Sequence, residues 1–432
     1  MRHEKPKKKA LSRICSGSMN KPIKITSDGR LIDALNALSQ VPKNENGRIF
    51  WASDKLDEGT FGLIYSLKFN PPIDDYIKDG ALWHVLNECA RESNFSTKFF
   101  LQRLRAFIKA HLSKTQKTFV AVSQVNCNHS ANMPKKLPSI FGQIEFAQSL
   151  SRLHQAVINK LSAHERSRLG LQNDFIYLTT KIKATDDRSA VDIAYRNIKF
   201  CLGVLNLVCN GFGVSKRFGY PHAPIGKFLS ASSIFTIDRS RRKLGGYLSE
   251  NHFPLLFKIN FSVWQRLEIA EISKFARYYV SDVGRTDFSE KIVQAIILFQ
   301  EGLETAHIDI ALLKFWTGIE LLCAKETKEP TERVVERASS IFVNPKHAAM
   351  RLNFIQKFRD RIVHQGDVGG HSVLCAQWGS IYLSHVIRFF LFNKYKLRKH
   401  SEVLDYLSTP LDQDKLVETI ALHRKRLKML RQ

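Results

Sequence analysis

The chain lacks the features that would announce several common protein classes. None of its seven cysteines forms a Cys-x-x-Cys pair, which argues against a disulfide framework or a zinc ribbon. No apolar run approaches the length of a membrane helix; the best, Phe200 to Cys209, is cut by Gly203 and Asn206. The N-terminus is basic (Lys5, Lys7, Lys8, Lys9) with no apolar stretch behind it, so a secretory signal is not expected. No repeat of fixed period occurs. Acidic residues are scarce: 40 Asp and Glu stand against 66 Lys and Arg, a net charge of +26. Apolar side chains, by contrast, are plentiful. At 44% of the 432 residues they are enough for a sizeable core, so wholesale disorder is excluded and two or three domains are expected. These traits together predict a soluble, cytoplasmic protein of a reducing compartment.

So large a positive excess makes polyanions the first partner class to consider, because binding phosphates releases condensed counterions. Two local concentrations stand out. One is Arg239-Ser240-Arg241-Arg242-Lys243, whose Arg239, Arg241, Arg242 and Lys243 are candidate nucleic-acid contacts; the other is the tail His423-Arg424-Lys425-Arg426-Leu427-Lys428.

Along the chain, residues 1–45 read as a basic, largely flexible arm with at most a short helix around Leu31–Leu38. Residues 46–286 read as an α+β domain. Phe61–Phe69 looks like a strand, and the apolar spacing from Leu82 to Leu112 turns helical with a break near Ser93-Asn94. The β-branched segments Thr118–Val125 and Phe175–Ile182 read as strands, followed by helices near Gln143–Arg168 and Ser189–Val208. Ser232–Ile237 offers another strand. This β–α–β–α order predicts a mixed sheet with helices packed on it.

From residue 287 to 398 strand signals fade. Asp287 with Glu290 forms the pattern of a capping box. Ile292, Ile296, Phe299 and Leu303 keep one helix face apolar, and Leu312, Phe315, Ile319 and Leu322 another. Pro330 opens a shorter segment, Leu352, Ile355, Phe358 and Ile362 mark a helix that must stop at Gly366, and a last helix runs from Ser372 to Phe392. The fold class expected is therefore an α+β N-terminal region followed by an all-α, antiparallel bundle of four-helix type. Residues 399–432 form a basic helical tail.

The chemistry gathers at Phe358-Arg359-Asp360-Arg361-Ile362-Val363-His364-Gln365-Gly366. Arg and His a few positions apart also occur at Arg105–His111 and Arg217–His222, but the latter holds Gly219 and Pro221, which forbid a helix, and the former lies on an ordinary basic amphipathic face. Only Arg359–His364 joins a polar second position, an aliphatic lead-in, a glycine stop and the four-helix frame. In this motif, in Phe315–Leu322 with its embedded Glu320, and in the short helix Glu332–Ala338, residues 290–395 resemble the HEPN domains, specifically their Apea-like branch.

That resemblance implies a metal-independent endoribonuclease, homodimeric through the bundle, serving RNA-targeting defence or stress responses. The expected catalytic residues are Arg359, His364 and Asp360, with Glu320 and Arg361 in support; no metal and no cofactor are needed, and RNA is the partner. A histidine titrates near neutrality and suits general acid–base work on a ribose 2′-OH or a leaving 5′-oxygen. An arginine offers a fixed fork of donors to the scissile phosphate, and Asp360 can orient either group. DNA lacks the 2′-OH, so selectivity for RNA follows from the mechanism.

Positions five apart on an α-helix project about 140° from one another, so Arg359 and His364 converge only if the helix frays at His364 or if two copies meet across a dimer. The contrasting reading is a non-catalytic HEPN-like protein that binds nucleic acid or nucleotides, or acts as a scaffold. Other patterns are weaker. Cys127-Asn128-His129 has no second ligand pair at zinc spacing, Gly211-Phe212-Gly213 lacks phosphate-loop spacing, and Asp186 with Asp187 reads as a helix cap.

Overall fold

The computed structural model describes residues 23–209, except 46–47, 52–58, 61, 65, 70–74, 129–132 and 140–141, and residues 226–429, except 227, 241, 249–285, 306, 326–328, 367–371, 393 and 411. The chain forms two compact units, residues 1–116 and 117–432.

In the first unit, strand β1 (Ile23–Ile25) pairs antiparallel with β4 (Leu67–Phe69), and β2 (Pro42–Glu45) pairs with β3 (Arg48–Trp51). Helix α1 (Asp28–Ser39) buries Leu31, Leu35 and Leu38 against Leu82, Val85 and Leu86 of α2 (Asp75–Arg91) and Phe100, Leu104 and Ile108 of α3 (Thr97–Leu112). Residues 23–45 are thus folded rather than an arm, because α1 carries one full apolar stripe. The strand read over Phe61–Phe69 is confined to Leu67–Phe69, with helical turns at Gly62–Ile64. Gly62 lies so close to α1 that an added Cβ would sit 2.9 Å from Ala34 Cβ. The break between α2 and α3 falls where sequence placed it: Ser93 adopts a left-handed φ of 48°, and the Ser96 hydroxyl caps α3 by accepting from the Phe99 N–H.

The second unit is built on a six-stranded sheet, ordered β10-β9-β5-β8-β7-β6. Its strands are β5 (Lys117–Asn128), β6 (Lys136–Ser139), β7 (Gly142–Ala147), β8 (Phe175–Ala184), β9 (Ile234–Asp238) and β10 (Lys243–Leu248). Every neighbouring pair is antiparallel, so the sheet is not mixed as expected. The reason lies in the segment read as one helix over Gln143–Arg168. Its beginning is β7, which forms a hairpin with β6 and reverses the chain before β8. Only the remainder is helical, as α4 (Arg152–Asn159) and α5 (Ala163–Leu169). Ser151 and Ser162 cap them separately, and Gly170 ends α5 in the left-handed region at φ 64°.

Both faces of the sheet are covered, which is why β5 reads as a nearly continuous apolar run. Val120 and Val122 face Val157, Ile158 and Leu169 of α4 and α5. Phe119 and Ala121 point the other way, into a core shared with α6 (Asp187–Cys209). Asp186 caps α6 as expected, accepting from the Ser189 N–H at 2.8 Å.

That same core continues into the C-terminal helices: α7 (Ser289–Glu304), α8 (Ile308–Cys323), α9 (Thr331–Ser340), α10 (Pro345–Gln365), α11 (Ser372–Phe392) and α12 (His400–Leu407). Sheet and helices therefore belong to one unit, and the compact division falls at residues 116 and 117 rather than near 287. The apolar positions named from sequence are all buried: Ile292, Ile296, Phe299 and Leu303 on α7, Leu312, Phe315, Ile319 and Leu322 on α8; α7 buries more than that one face, with Val293, Ile297 and Leu298 covered too. The capping box at Asp287 does not form. Asp287 instead accepts from the His400 backbone N–H at 2.7 Å, and Glu290 pairs with Arg196 of α6. Within the stretch read as a tail, α12 buries Val403, Leu404 and Leu407, whereas α13 (Gln413–Met429) buries no residue.

Candidate functional site

Helix α10 begins with the Asn344 side chain accepting from the His347 N–H and with Pro345 in its first turn. It ends at Gly366, whose φ of 66° lets its N–H reach the Ile362 carbonyl. Buried Ala348, Leu352, Ile355 and Phe358 fix its inner face and thereby its rotation.

This packing lays Arg359 against α8. Its Nη1 donates to Asp360 Oδ1 at 2.9 Å, and its Nη2 lies 3.7 Å from Glu320 Oε1. Each carboxylate is held in turn. The Trp316 indole N–H donates to Glu320 Oε1 at 2.7 Å, and the Gln356 amide donates to Asp360 Oδ2 at 2.7 Å. Arg359, Asp360 and Glu320, singled out from sequence on different grounds, are thus brought together. Sequence reading missed Gln356 and the indole contact. The first was visible as an i, i+4 amide–carboxylate pair; the second follows from Trp316 and Glu320 having the same spacing, on a tryptophan that is otherwise core.

The Arg359 side chain remains 30% exposed. Its hydrogen bond to Asp360 uses one of five N–H donors, and a half-exposed ion pair is worth only about 0–1 kcal/mol. The carboxylates aim the guanidinium rather than bury it.

His364 lies in the last turn of α10, exposed. The helix stays intact through Gln365, so the fraying that would let His364 swing toward Arg359 does not occur. The two residues therefore stand about 140° and about 7.5 Å along the axis apart. Asp360 shares an i, i+4 stripe with His364 yet bonds Arg359 and Gln356. Arg361 is exposed, its guanidinium 5.3 Å from the centre of the Phe358 ring.

The other candidates lie elsewhere. Arg239, Arg242 and Lys243 are exposed at the hairpin between β9 and β10, on the edge of the sheet; Arg241 lies outside the described residues. His423 to Lys428 are exposed on α13. On α3 Arg105 is exposed and His111 buried, so that pair is split. Arg217–His222, His129 and Gly211–Gly213 lie outside the described residues, and Cys127 is buried. Among the described residues no three His, Cys, Asp or Glu side chains gather to hold a metal ion, and no helix is long and apolar enough to cross a membrane. No family model matches the chain, and no curated protein or solved structure does either.

Proposed function

We propose that the chain is an endoribonuclease of HEPN type whose site is completed when two copies bring their α10 ends together. The observation that carries this reading is the aimed, part-exposed guanidinium of Arg359, on the same helix end as an exposed histidine. In the reaction, the ribose 2′-oxygen attacks the adjacent phosphorus, the new O2′–P bond forms, and the bond to the 5′-oxygen breaks. A histidine at position 364 takes the 2′-OH proton or delivers one to the leaving oxygen, and Arg359 neutralises charge gathering on the phosphoryl oxygens. The nucleophile belongs to the RNA itself, so the products carry a 2′,3′-cyclic phosphate and a 5′-hydroxyl. The wide angle between Arg359 and His364 on one helix is the reason for assigning the pairing to a second copy.

A second reading has its own support. Asp360 and Glu320 balance the charge of Arg359 within the chain, as a non-catalytic binding or scaffold protein would allow. Incubation of the purified protein with mixed single-stranded RNA in EDTA, beside Arg359→Ala and His364→Ala, separates the two. Cleavage by the wild type alone, with cyclic-phosphate ends, is expected. Cleavage surviving both substitutions would remove the site from consideration, and RNA binding without cleavage, unaffected by either substitution, would establish the scaffold reading.

A further inference from the structure

The imidazole of His400, the first residue of α12, is engaged at both nitrogens. Its Nε2 lies 2.8 Å from the carbonyl oxygen of Leu322, one of the last four of α8, which no intrahelical N–H can reach. A carbonyl only accepts, so Nε2 carries a proton and donates. Its Nδ1 lies 3.1 Å from the Lys291 ammonium of α7, which only donates, so Nδ1 accepts through its lone pair. The two partners together select the neutral ring. A second proton on this pair would put two cations on nitrogens 3.1 Å apart, in a half-buried place.

The remaining neighbours do not offset that repulsion. The rings of Phe288 and Phe390 flank the imidazole, with centres 6.2 and 6.0 Å away. Among the described residues the charged groups facing it are Lys291 and Asp287 of the α7 end and Arg337 of α9; α8 presents the Leu322 carbonyl. Asp287 accepts from the His400 backbone N–H at 2.7 Å. In the lead-in to α12, Arg398 and Lys399 add positive charge, and Glu402 turns back onto their backbone N–H groups. Burial lowers the His400 pKa, and Lys291 and Arg337 lower it further against the Leu322 hydrogen bond and Asp287.

Helix α12 depends on what holds it. Eight residues are too few for a helix to persist alone, so its order comes from docking. Val403, Leu404 and Leu407 supply the buried side, Tyr406 stacks on Phe389, and Arg337 Nε donates to Ser408 Oγ at the far end at 2.8 Å. Beyond it follows α13, which buries no residue.

We propose that His400 is an acid-operated latch: neutral, it stitches α12 to α7 and α8; protonated, it releases α12, and α13 with it. The proposal does not depend on the ribonuclease reading. Because the folded pKa lies below 6.5, docking is intact above pH 6.5 and weakens as pH falls from there through the lower folded value.

The test is hydrogen–deuterium exchange of the full chain, followed by mass spectrometry at about pH 7.5 and about pH 5.5, both above the ordinary carboxylate range. Each rate is divided by the intrinsic rate of unstructured chain at that pH. Protection of α12 is expected to fall by about threefold or more on acidification while that of α8 holds. His400→Gln keeps an amide N–H for the Leu322 carbonyl but does not titrate, so its α12 protection should be the same at both pH values. Lys291→Met removes the facing ammonium and should shrink the acid response; it carries the test if His400→Gln leaves α12 undocked at neutral pH. Unchanged protection in the wild type would overturn the latch. So would an acid response of full size in His400→Gln or in Lys291→Met, or a loss shared equally by α8 and α12.

Discussion

Two cations in the second unit are held by carboxylates in opposite settings. Lys199 of α6 is 1% exposed and pairs with Glu304 of α7, with Ser230 Oγ 3.2 Å from its ammonium. Glu304 also accepts from the Ser230 N–H at 2.8 Å and from Gln300 at 2.8 Å. Burial alone would raise the Glu304 pKa; the Lys199 ammonium and these hydrogen bonds outweigh it, and the carboxyl is held below its ordinary value. Arg359 has two carboxylates, Asp360 and Glu320, yet its side chain is 30% exposed. The sealed pair consumes its charges in holding α6 to α7. The open cluster spends one donor on orientation and leaves the guanidinium partly open to solvent. Charge pairing by itself does not mark a site; the two pairs differ in how much of the cation they leave to solvent.

The largest effect that would break this contrast is at the sealed pair. Glu304→Gln leaves a buried ammonium without its counter-charge and should cost about 3–5 kcal/mol in urea unfolding, a loss that a double Lys199→Met, Glu304→Leu replacement largely recovers. A cost below 1 kcal/mol, on the order of an exposed pair, would show the seam to be wet.

At the end of α10, beyond the open cluster, the expectation reverses. His364→Ala should lower RNA cleavage by about 10²–10⁴-fold and leave the urea midpoint nearly unchanged. Equal losses of activity and stability would place His364 in the framework.

A pH titration of stability sharpens the same distinction. Because the folded pKa of Glu304 is depressed below 4.5, its contribution is fully present above pH 4.5 and disappears as pH falls through the lower folded value. Melting temperatures taken from pH 7 down to 3 should show that fall, and Glu304→Gln should abolish its share of it.

The smallest effect belongs to Glu320→Gln. It removes a half-exposed ion pair worth at most about 1 kcal/mol while keeping an acceptor for the Trp316 indole, so thermal stability should hardly move. A shift larger than that would mean that Glu320 braces α8 rather than aiming Arg359.

What sequence reading could reach was whatever depends on local periodicity. The termini of α11 coincide with those read from the apolar spacing, and Gly366 stops α10 where a glycine should. The strands β5 and β8 were legible because β-branched residues filled both faces. The hairpin of β6 and β7 was not, since Gln143–Ala147 offers only one buried residue, Ile144, and no alternation strong enough to outvote the helical spacing behind it. Asp287 and Glu290 matched a local capping pattern but were captured by distant partners, His400 and Arg196. The contact of Glu320 with Arg359 likewise joins different helices, and no periodicity encodes it. At the candidate site the pairing of Arg359 with its neighbour Asp360 was legible, and the approach of Glu320 from another helix was not.

Gly203 on α6 has a consequence for how the second unit comes apart. A Cβ there would lie 2.6 Å from Ile296 Cγ2 and 2.8 Å from the Ile296 carbonyl oxygen, so α6 and α7 touch nearly backbone to backbone. Since α6 also lines the sheet, heat cannot loosen the C-terminal helices without stripping the cover from the strands. Calorimetry of residues 117–432 should therefore record one endotherm for sheet and helices, with the van't Hoff and calorimetric enthalpies in agreement.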